Sequence, residues 1–272
     1  MTDALLDAVT GGVEVLDLGR PMFVGMPQSP NHPAYWHTLP RRHGDRNRPD
    51  GGSAANDLIV TGTHVGTHID ALAHVSQDGR LHGDVDAFDV QQGGRFMEHG
   101  VHTIDPLFTA GVLLDIPAVL GHDACPPGYE ITVADLEAAV ATQGTDPGPG
   151  EVVLVRSGWG PRFDKGADAY LGHDAGVPGV GEAGARWLAD TGARAVGADT
   201  IAFERLAPGA GHGLLPAHRV LLVERGVYIM EALDLEEVAR RRAHRFTFVA
   251  IPLRLVGATG SPIRPLAVVV RG

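Results

Sequence analysis

The feature that most constrains this chain is the segment 61–74, where three histidines and an aspartate lie within eleven positions. His64 and His68 are four residues apart, Asp70 follows two residues later, and His74 four residues after that. Glycine and alanine are interspersed among them, and glycine lets a backbone turn sharply because it has no Cβ. Imidazole nitrogen and carboxylate oxygen are ligands that zinc and manganese accept. The segment therefore predicts one wall of a metal site.

The alternative is that these histidines bind nothing, because two histidines four residues apart on a helix surface are usually solvated side chains. The preceding Leu-Ile-Val run at 58–60 argues against a solvated face. It predicts a short buried strand that runs into the glycine-rich turn. Functional side chains commonly follow the end of such a strand, which favours the metal site.

Composition bounds the possible partners of the chain. With 272 residues, 44% of them hydrophobic, it can bury a sizeable core, and we expect one domain spanning 1–272. A net charge of −11 argues against nucleic acid and anionic membranes as partners. Residues 1–10 carry Asp3 and Asp7 and lack a basic region, so we expect no secretory signal and a cytoplasmic location. The single cysteine, Cys125, is expected to be structural.

Strand-like and helix-like patterns are mixed along the chain, which predicts an α/β fold with a mixed sheet. Thr132, with Asp135 three residues later, is expected to cap a helix. The expected helices are 132–140, 182–191, 217–224 and 235–242. The expected strands are 13–18, 101–104, 112–116, 151–156, 193–197, 227–230, 246–255 and 267–270.

Candidate substrate contacts come from loops. Residues 19–53 form a long irregular region. A compact domain tolerates such a loop mainly where the loop covers a site or joins a neighbouring subunit, and the alternative is a surface loop with a small cluster of its own. It carries Phe23 and Trp36, which, with Trp159 at a strand-to-loop corner, could pack against an aromatic substrate. His212 lies in a glycine-rich loop and could face the substrate as part of a lid.

A catalytic metal usually has three protein ligands, which His64, His68 and Asp70 could supply alone, and two later residues could join them. His218 begins a short helical segment, and Glu231 ends an apolar strand. Glu231 could instead cap the helix at 235–242, but Asp234 is better placed for that role. His74 is the candidate acid/base, because its ordinary pKa lies near neutrality.

The segment 64–74 resembles the signature of the cyclase family, which includes bacterial kynurenine formamidases and isatin hydrolases. That signature reads His-x-Gly-Thr-His-x-Asp-x-Pro-x-His, and the chain matches every fixed position except that Leu72 replaces proline. Segments 157–159, 197–200, 226–231 and 251–253 through 261–264, and His218 with the two leucines at 221–222, also resemble the family. The likeness extends from about residue 16 to 270. Leu72 is expected to loosen the turn between Asp70 and His74.

The resemblance implies a swivelling β/β/α domain with a bound Zn²⁺ or Mn²⁺. It implies that His64, His68 and Asp70 are metal ligands and that His74 is catalytic. His218 and Glu231 would complete a second metal position or support the first. The resemblance also implies a homodimer or homotetramer, with neighbouring subunits contributing to the site.

Hydrolysis of a carbon–nitrogen bond in a small amide or lactam is the expected reaction. The cation would lower the pKa of bound water and polarise the carbonyl, and His74 would carry the proton. Ala202 stands where family members often have serine, which argues against an isatin-like proton path and an isatin substrate. Two alternatives stay open: cyclisation or dehydration of a biosynthetic intermediate, and metal-dependent ligand binding without catalysis.

Overall fold

The computed structural model describes residues 4–270, so Asp3, on which the expected absence of a signal sequence partly rests, lies outside the described residues. Among the described residues, the strands are, in chain order, β1 (Val13–Asp17), β2 (Trp36–Arg41), β3 (Asn56–Val60), β4 (His68–Asp70), β5 (Arg80–Leu81), β6 (Val85–Asp86), β7 (Gln91–Gln92), β8 (Arg95–Phe96), β9 (Leu107–Asp115), β10 (Glu130–Ile131), β11 (Val152–Arg156), β12 (Gly179–Val180), β13 (Ala195–Ala198), β14 (Tyr228–Glu231), β15 (Arg245–Ala250), β16 (Gly260–Pro262) and β17 (Leu266–Val270).

Nine of these strands form one mixed sheet in the order β1-β17-β15-β9-β11-β13-β14-β4-β16 within the described residues. Strands β9, β11, β13 and β14 are parallel, and the strands on both sides of them pair antiparallel. The predicted fold class is confirmed as an α/β fold with a large curled mixed sheet that forms a half-barrel. Strand β4 lies between β14 and β16, which places the histidine-rich segment near one end of this sheet.

Helices cover the sheet or join its strands, and α6 continues as a π-helical segment, Arg219–Arg225. The capping prediction for Thr132 is confirmed, because its side chain accepts from the backbone of Asp135 in a capping box. The α-helices are α1 (Ala4–Gly12), α2 (Ile116–Leu120), α3 (Val133–Gln143), α4 (Ala167–Leu171), α5 (Glu182–Asp190), α6 (Pro216–His218) and α7 (Glu236–Arg240). Short 3₁₀ segments are His82–Asp84, Val101–Thr103 and Gly160–Lys165.

The core lies on both faces of the sheet. In β11, Val153 packs in one apolar cluster and Leu154 packs in the other, because successive side chains of a strand point to opposite faces. Leu114 and Leu113 of β9 divide between the same two clusters. Burial on both faces explains why these central strands are continuous apolar runs.

Three local predictions are wrong. Residues 101–104 do not form a strand, because Val101–Thr103 is a 3₁₀ turn closed by the Thr103 hydroxyl on the carbonyl of Gly100. The strand expected over 246–255 ends at Ala250, two residues before Pro252, which has no backbone N–H for a ladder. The run 58–60 is a strand but is exposed, because it pairs only with β2. In the described part of the chain, every helix is too short or too polar to cross a membrane.

Candidate metal centre

The histidine-rich segment enters β4 through a turn that only glycine adopts readily, since Gly66 has a φ of 71°. The Nδ1 atom of His68 donates to the carbonyl of Gly66 at 2.8 Å. Because that bond fixes the ring tautomer, the Nε2 atom of His68 keeps its lone pair for a ligand. Leu72 does not open the turn, since the backbone N–H of His74 still donates to the carbonyl of Ala71 at 2.9 Å.

Strand pairing brings the first group of donor atoms together. Glu231, the last residue of β14, lies directly opposite His68 of β4. The Nε2 atom of His68 is 3.5 Å from Asp70 Oδ1 and 3.5 Å from Glu231 Oε2. One ligand atom from each of His68, Asp70 and Glu231 lies within 4.8 Å of the others, and all three residues are buried. These residues form a group that could hold a metal ion.

A second group shares the same aspartate. His64, Asp70 and His74 also offer ligand atoms that lie within 4.8 Å of one another. The Nδ1 atom of His64 donates to Asp70 Oδ1 at 2.6 Å, and its Nε2 atom is 2.8 Å from the hydroxyl of Thr259. The rings of His64 and His74 stack with their centroids 3.8 Å apart. His74 therefore lies as close to the cluster as the residues predicted to be ligands.

Gly260 of β16 makes room for His64. A Cβ atom at position 260 would lie 2.5 Å from Cε1 of His64 and 2.8 Å from the carbonyl oxygen of Ile69. Glycine is therefore the residue that lets β16 pair with β4 at Asp70 while the imidazole of His64 stays beside Asp70.

His218 joins the cluster from the helical side. Its Nε2 atom lies 3.2 Å from Glu231 Oε1 and 3.5 Å from Asp70 Oδ2. Its Nδ1 atom contacts the carboxylate of Glu204, whose second oxygen accepts from the backbone N–H of Ala217 at 2.7 Å. Glu204 thereby orients the imidazole as an outer carboxylate does in many metal sites. Sequence reasoning missed Glu204, although its place shortly after Asp199 and Thr200 could have drawn attention to it.

The donor set fits a divalent cation. Asp70 Oδ2 is buried without a hydrogen-bond partner among residues 4–270, since His218 lies at ion-pair distance but outside hydrogen-bond geometry. A buried carboxylate oxygen without a partner is costly unless a cation or a proton compensates it. A mixture of imidazole nitrogen and carboxylate oxygen is the chemistry that borderline divalent metals accept.

The pKa values of the cluster report a concentration of charge. Burial alone would raise the pKa of Asp70, but electrostatic interactions with the imidazoles of His74 and His64 hold it well below the ordinary value. Burial opposes the charge on His218 as well, yet Glu204 raises the pKa of His218 well above that of a free imidazole. Burial would also raise the pKa of Glu231, but His218 lowers it. The negative charge that favours the proton on His218 would equally favour a cation.

The pKa of His74 shifts in the opposite direction to that of His218. Burial lowers the pKa of His74 to about 3, and the charge of Asp70 opposes this shift only in part. The ring of His32 stacks on His64 with the centroids 5.2 Å apart, and burial lowers the pKa of His32 too. No spacing in the sequence points to His32, because it reaches the cluster from the 19–53 region.

The predicted substrate contacts fall in different places. Trp159 is fully buried and donates from Nε1 to the carbonyl of Tyr170 at 2.7 Å, so it has no surface with which to contact a substrate. Phe23 is about half exposed and packs edge-on against Phe163. Trp36 lies on the exposed β2–β3 hairpin. His212 lines a cavity of about 400 Å³ and lies in the electrostatic field of Glu231 and His218.

A buried cluster of imidazoles and carboxylates near one end of a curled mixed sheet defines an α/β protein with a candidate metal centre. The family model described as "Putative cyclase" matches residues 16–205, and the chain belongs to this family. The match ends before His218 and Glu231, but the structure brings both of these predicted residues to the cluster, with His218 Nε2 3.2 Å from Glu231 Oε1.

Relatives in this family carry several names. The chain is 30% identical over 217 residues to Cyclase-like protein 3 of Oryza sativa subsp. japonica. The aligned residues cover 79% of this chain and 66% of that protein. It is 27% identical over 223 residues to an isatin hydrolase of Roseibium aggregatum, covering 81% and 77% of the two chains. It is 26% identical over 218 residues to a kynurenine formamidase of Geobacillus thermodenitrificans, covering 80% and 82%.

A solved structure described as a novel cyclase shares the fold, with a TM-score of 0.84 and 29% sequence identity over 93% of this chain and 88% of that chain. The chain spans just under two thirds of the length of the rice relative. The likeness therefore establishes family and fold.

Proposed function

We propose that this protein is a metal-dependent hydrolase that cleaves a carbon–nitrogen bond in a small amide or lactam. The observation that carries the proposal is the pair of donor groups that share the buried Asp70. The names of two relatives, an isatin hydrolase and a kynurenine formamidase, support hydrolysis of this bond type. Zn²⁺ or Mn²⁺ is the proposed metal, because the donor set mixes nitrogen and oxygen.

His68, Asp70 and Glu231 would hold the cation, with His64 and His218 at its border. A bound divalent cation lowers the pKa of water and polarises a carbonyl group. The chain's own part is to keep the donor atoms in place. The Gly66 carbonyl orients His68, Glu204 orients His218, and the backbone N–H of Phe203 donates to Glu231 Oε1 at 2.9 Å.

His74 is the proposed acid/base. Its ring stacks on His64 and lies 6.1 Å from the ring of His218, so it borders the donor cluster while remaining only partly buried. An imidazole in this position can accept a proton from water and donate it to the leaving nitrogen. His32, with its ring 6.4 Å from that of His74, flanks the same edge.

The substrate is proposed to lie in the cavity of about 400 Å³ that includes Asn31, beside His32, and Leu206, two residues beyond Glu204. His212 and His173 line the same cavity. Its volume suits a small molecule. Ala202 is fully buried and offers no side-chain donor, so the proposed substrate is an amide or lactam other than isatin.

A second candidate function is metal-dependent cyclisation or dehydration. The rice relative is named a cyclase-like protein, which favours this alternative. The same cluster would then bind the carbonyl group without a net gain of water. The residues of the site are common to both reactions, so the product distinguishes them.

The test is product mass. The purified chain, loaded separately with Zn²⁺ and Mn²⁺, is incubated with a panel of N-formyl anilines and aromatic lactams. A gain of one water supports the hydrolase, whereas ring closure with loss of water or no mass change supports the cyclase. Asp70→Asn, which removes the shared negative charge with little change in shape, is the matched variant and should abolish conversion. Tight binding of panel members without conversion would overturn both enzymatic proposals.

A further inference from the structure

The residue that follows Glu231 has an unfavourable backbone conformation. Strand β14 pairs with β4 as far as Glu231, which lies opposite His68, and the chain then turns at Ala232. Ala232 has a φ of 54°, in the left-handed region that a residue with a Cβ rarely adopts. It is buried as well. Such a conformation persists only where the surrounding contacts impose it, so the neighbours of Ala232 must hold this turn.

The side chain of Thr67 supplies one of those contacts. Its hydroxyl donates to the carbonyl oxygen of Ala232 at 2.7 Å and accepts from the backbone N–H of Arg20 at 2.9 Å. Thr67 is buried and directly precedes His68 in the chain. One hydroxyl therefore joins the residue before His68 to the residue after Glu231, at the point where the backbone ladder between the two strands ends.

Further hydrogen bonds hold the same turn. The backbone N–H of Ala232 donates to the carbonyl of Thr200 at 2.9 Å. The guanidinium group of Arg20 donates to the carbonyl of Leu233, the next residue, at 3.1 Å. The bonds made by Thr67 and Arg20 are buried, so the loss of either side chain would leave a buried carbonyl without a partner.

The turn matters because it determines where the carboxylate of Glu231 lies. The Nε2 atom of His68 is 3.5 Å from Asp70 Oδ1 and 3.5 Å from Glu231 Oε2, so two carboxylates approach one nitrogen. Like charges repel each other, and a buried environment screens the repulsion only weakly. Before a cation binds, this repulsion favours movement of Glu231 away from Asp70. A backbone held at Ala232 opposes that movement.

We propose that Thr67 is a positioning residue of the metal centre, whose hydroxyl holds the turn at Ala232 and thereby keeps Glu231 in place for a cation. Both hydrogen bonds of this hydroxyl go to backbone atoms, so it acts through the turn and not through substrate. The inference rests on the proposed function only because that function requires a bound cation. It does not depend on which reaction the centre catalyses.

The experiment measures the affinity for Zn²⁺ and for Mn²⁺ by competition with a coloured chelator, without substrate. Thr67→Val has nearly the same shape but lacks the hydroxyl. It should bind the cations at least about tenfold more weakly, the range found when an outer partner of a metal ligand is removed. Thr67→Ser keeps the hydroxyl and should restore most of the affinity.

Thr191→Val is the matched control. The hydroxyl of Thr191 also donates to a backbone carbonyl, that of Leu188 at 2.6 Å, but it lies at the end of α5 and belongs to neither donor group. Its loss should lower the thermal midpoint of the metal-free protein and leave the affinity unchanged. The same midpoint for Thr67→Val distinguishes weaker binding from a failure to fold.

Ala232→Gly tests the connection between the hydroxyl and the turn. Glycine adopts a positive φ readily, so the turn then depends less on Thr67. Thr67→Val should therefore reduce the affinity by a smaller factor in the Ala232→Gly background than in wild type, which a double-mutant cycle measures. If Thr67→Val alone does not fold, the double variant replaces it and should bind more weakly than Ala232→Gly.

The outcomes separate this proposal from the proposed function. Equal affinities for wild type and Thr67→Val overturn the positioning role, and so does a Thr67→Ser variant that binds as weakly as Thr67→Val. Equal factors in the two backgrounds also overturn it. Weaker binding by Thr67→Val in a chain that converts no substrate supports the positioning role while contradicting the proposed hydrolysis. A wild-type chain that binds neither cation overturns both.

Discussion

The imidazole rings of His64 and His74 stack at 3.8 Å, yet only His64 is hydrogen-bonded to Asp70. The two rings therefore differ in their hydrogen bonding even though both belong to one group of potential ligands. His64 has both ring nitrogens engaged, by Asp70 and by Thr259, whereas His74 borders the cluster from a partly buried position.

His74→Ala should therefore lower the turnover number by about 100-fold or more, the range of general acid–base catalysis, while most of the bound metal remains. Elemental analysis of the purified variant and steady-state kinetics on the same sample measure both quantities. His122→Ala, at an exposed position, is the control and should change neither. Loss of metal together with activity would show that His74 is a ligand.

Glu204→Gln should lower metal affinity by roughly 10- to 100-fold, because the neutral amide no longer supports the charge on His218. The amide oxygen can still accept from the N–H of Ala217, so the fold should be retained. Competition with a coloured chelator measures the affinity. Glu130→Gln changes a surface carboxylate and should leave the affinity unchanged. Equal affinities for the two variants would contradict an orienting role for Glu204.

Gly260→Ala should disturb the centre through shape alone. The new Cβ would overlap Cε1 of His64, so the ring must move away from Asp70. We expect lower metal affinity and lower turnover, with the secondary structure retained in circular dichroism. Gly11→Ala, where nothing lies within 4 Å of the added Cβ, is the matched control. An unchanged metal affinity in Gly260→Ala would mean that His64 is not a ligand.

Removing the metal should destabilise the fold, because a cation that binds only the folded state stabilises it. With free metal at about 100 times its dissociation constant, the gain is about 2.7 kcal/mol. For a chain of this length the thermal midpoint should fall by about 5–10 °C in excess chelator and recover when Zn²⁺ or Mn²⁺ is restored. Asp70→Asn should not respond to chelator. A wild-type midpoint that ignores chelator would count against a resident metal.

Elemental analysis of protein purified without added metal or chelator addresses stoichiometry. About two equivalents of zinc would indicate that both donor groups around Asp70 are filled. One equivalent of manganese would favour a single position held by His68, Asp70 and Glu231, with His64 and His218 at its border. An absence of metal, with no rebinding on titration, would contradict the proposed centre.

The single thiol should be inert in the folded protein. Burial raises the pKa of Cys125 to about 12, and the carboxylates of Asp199 and Asp135 add to the shift. The thiolate is the reactive form, so reaction with a disulfide reagent should be negligible near pH 8 and should accelerate only as the pH approaches 12. The same sample unfolded in guanidinium should react with one equivalent. Rapid reaction of the native protein would contradict the buried environment.

Local sequence signals predicted the elements that depend on local interactions. The capping box of Thr132 and Asp135 fixed the start of α3, and the continuous apolar run of β11 indicated a strand covered on both faces. The segment 58–60 shows the limit of the same reasoning. Its apolar side chains predicted a buried strand. The sequence pattern shows that the side chains are apolar, but it does not show which surface covers them.

Residues of the site were easier to predict the closer they lie to one another in the sequence. His64, His68, Asp70 and His74 could be grouped because they are close in the chain. Thr259 contacts His64 across 195 residues, and no spacing rule connects such a pair. His32 and Glu204 were missed as well, because His32 reaches the cluster by stacking on His64 and Glu204 reaches it only through its contact with His218.

Asp70 belongs to both donor groups, whereas every other member belongs to one. The two groups are therefore not independent receptors, because an ion drawn to either one redistributes the charge of a carboxylate that the other also uses. A titration should then show coupled occupancies instead of two separate binding curves. The same sharing makes the centre unequal in its tolerance of mutation. A substitution at any other member weakens one donor group, but a substitution at Asp70 removes a ligand that both groups use.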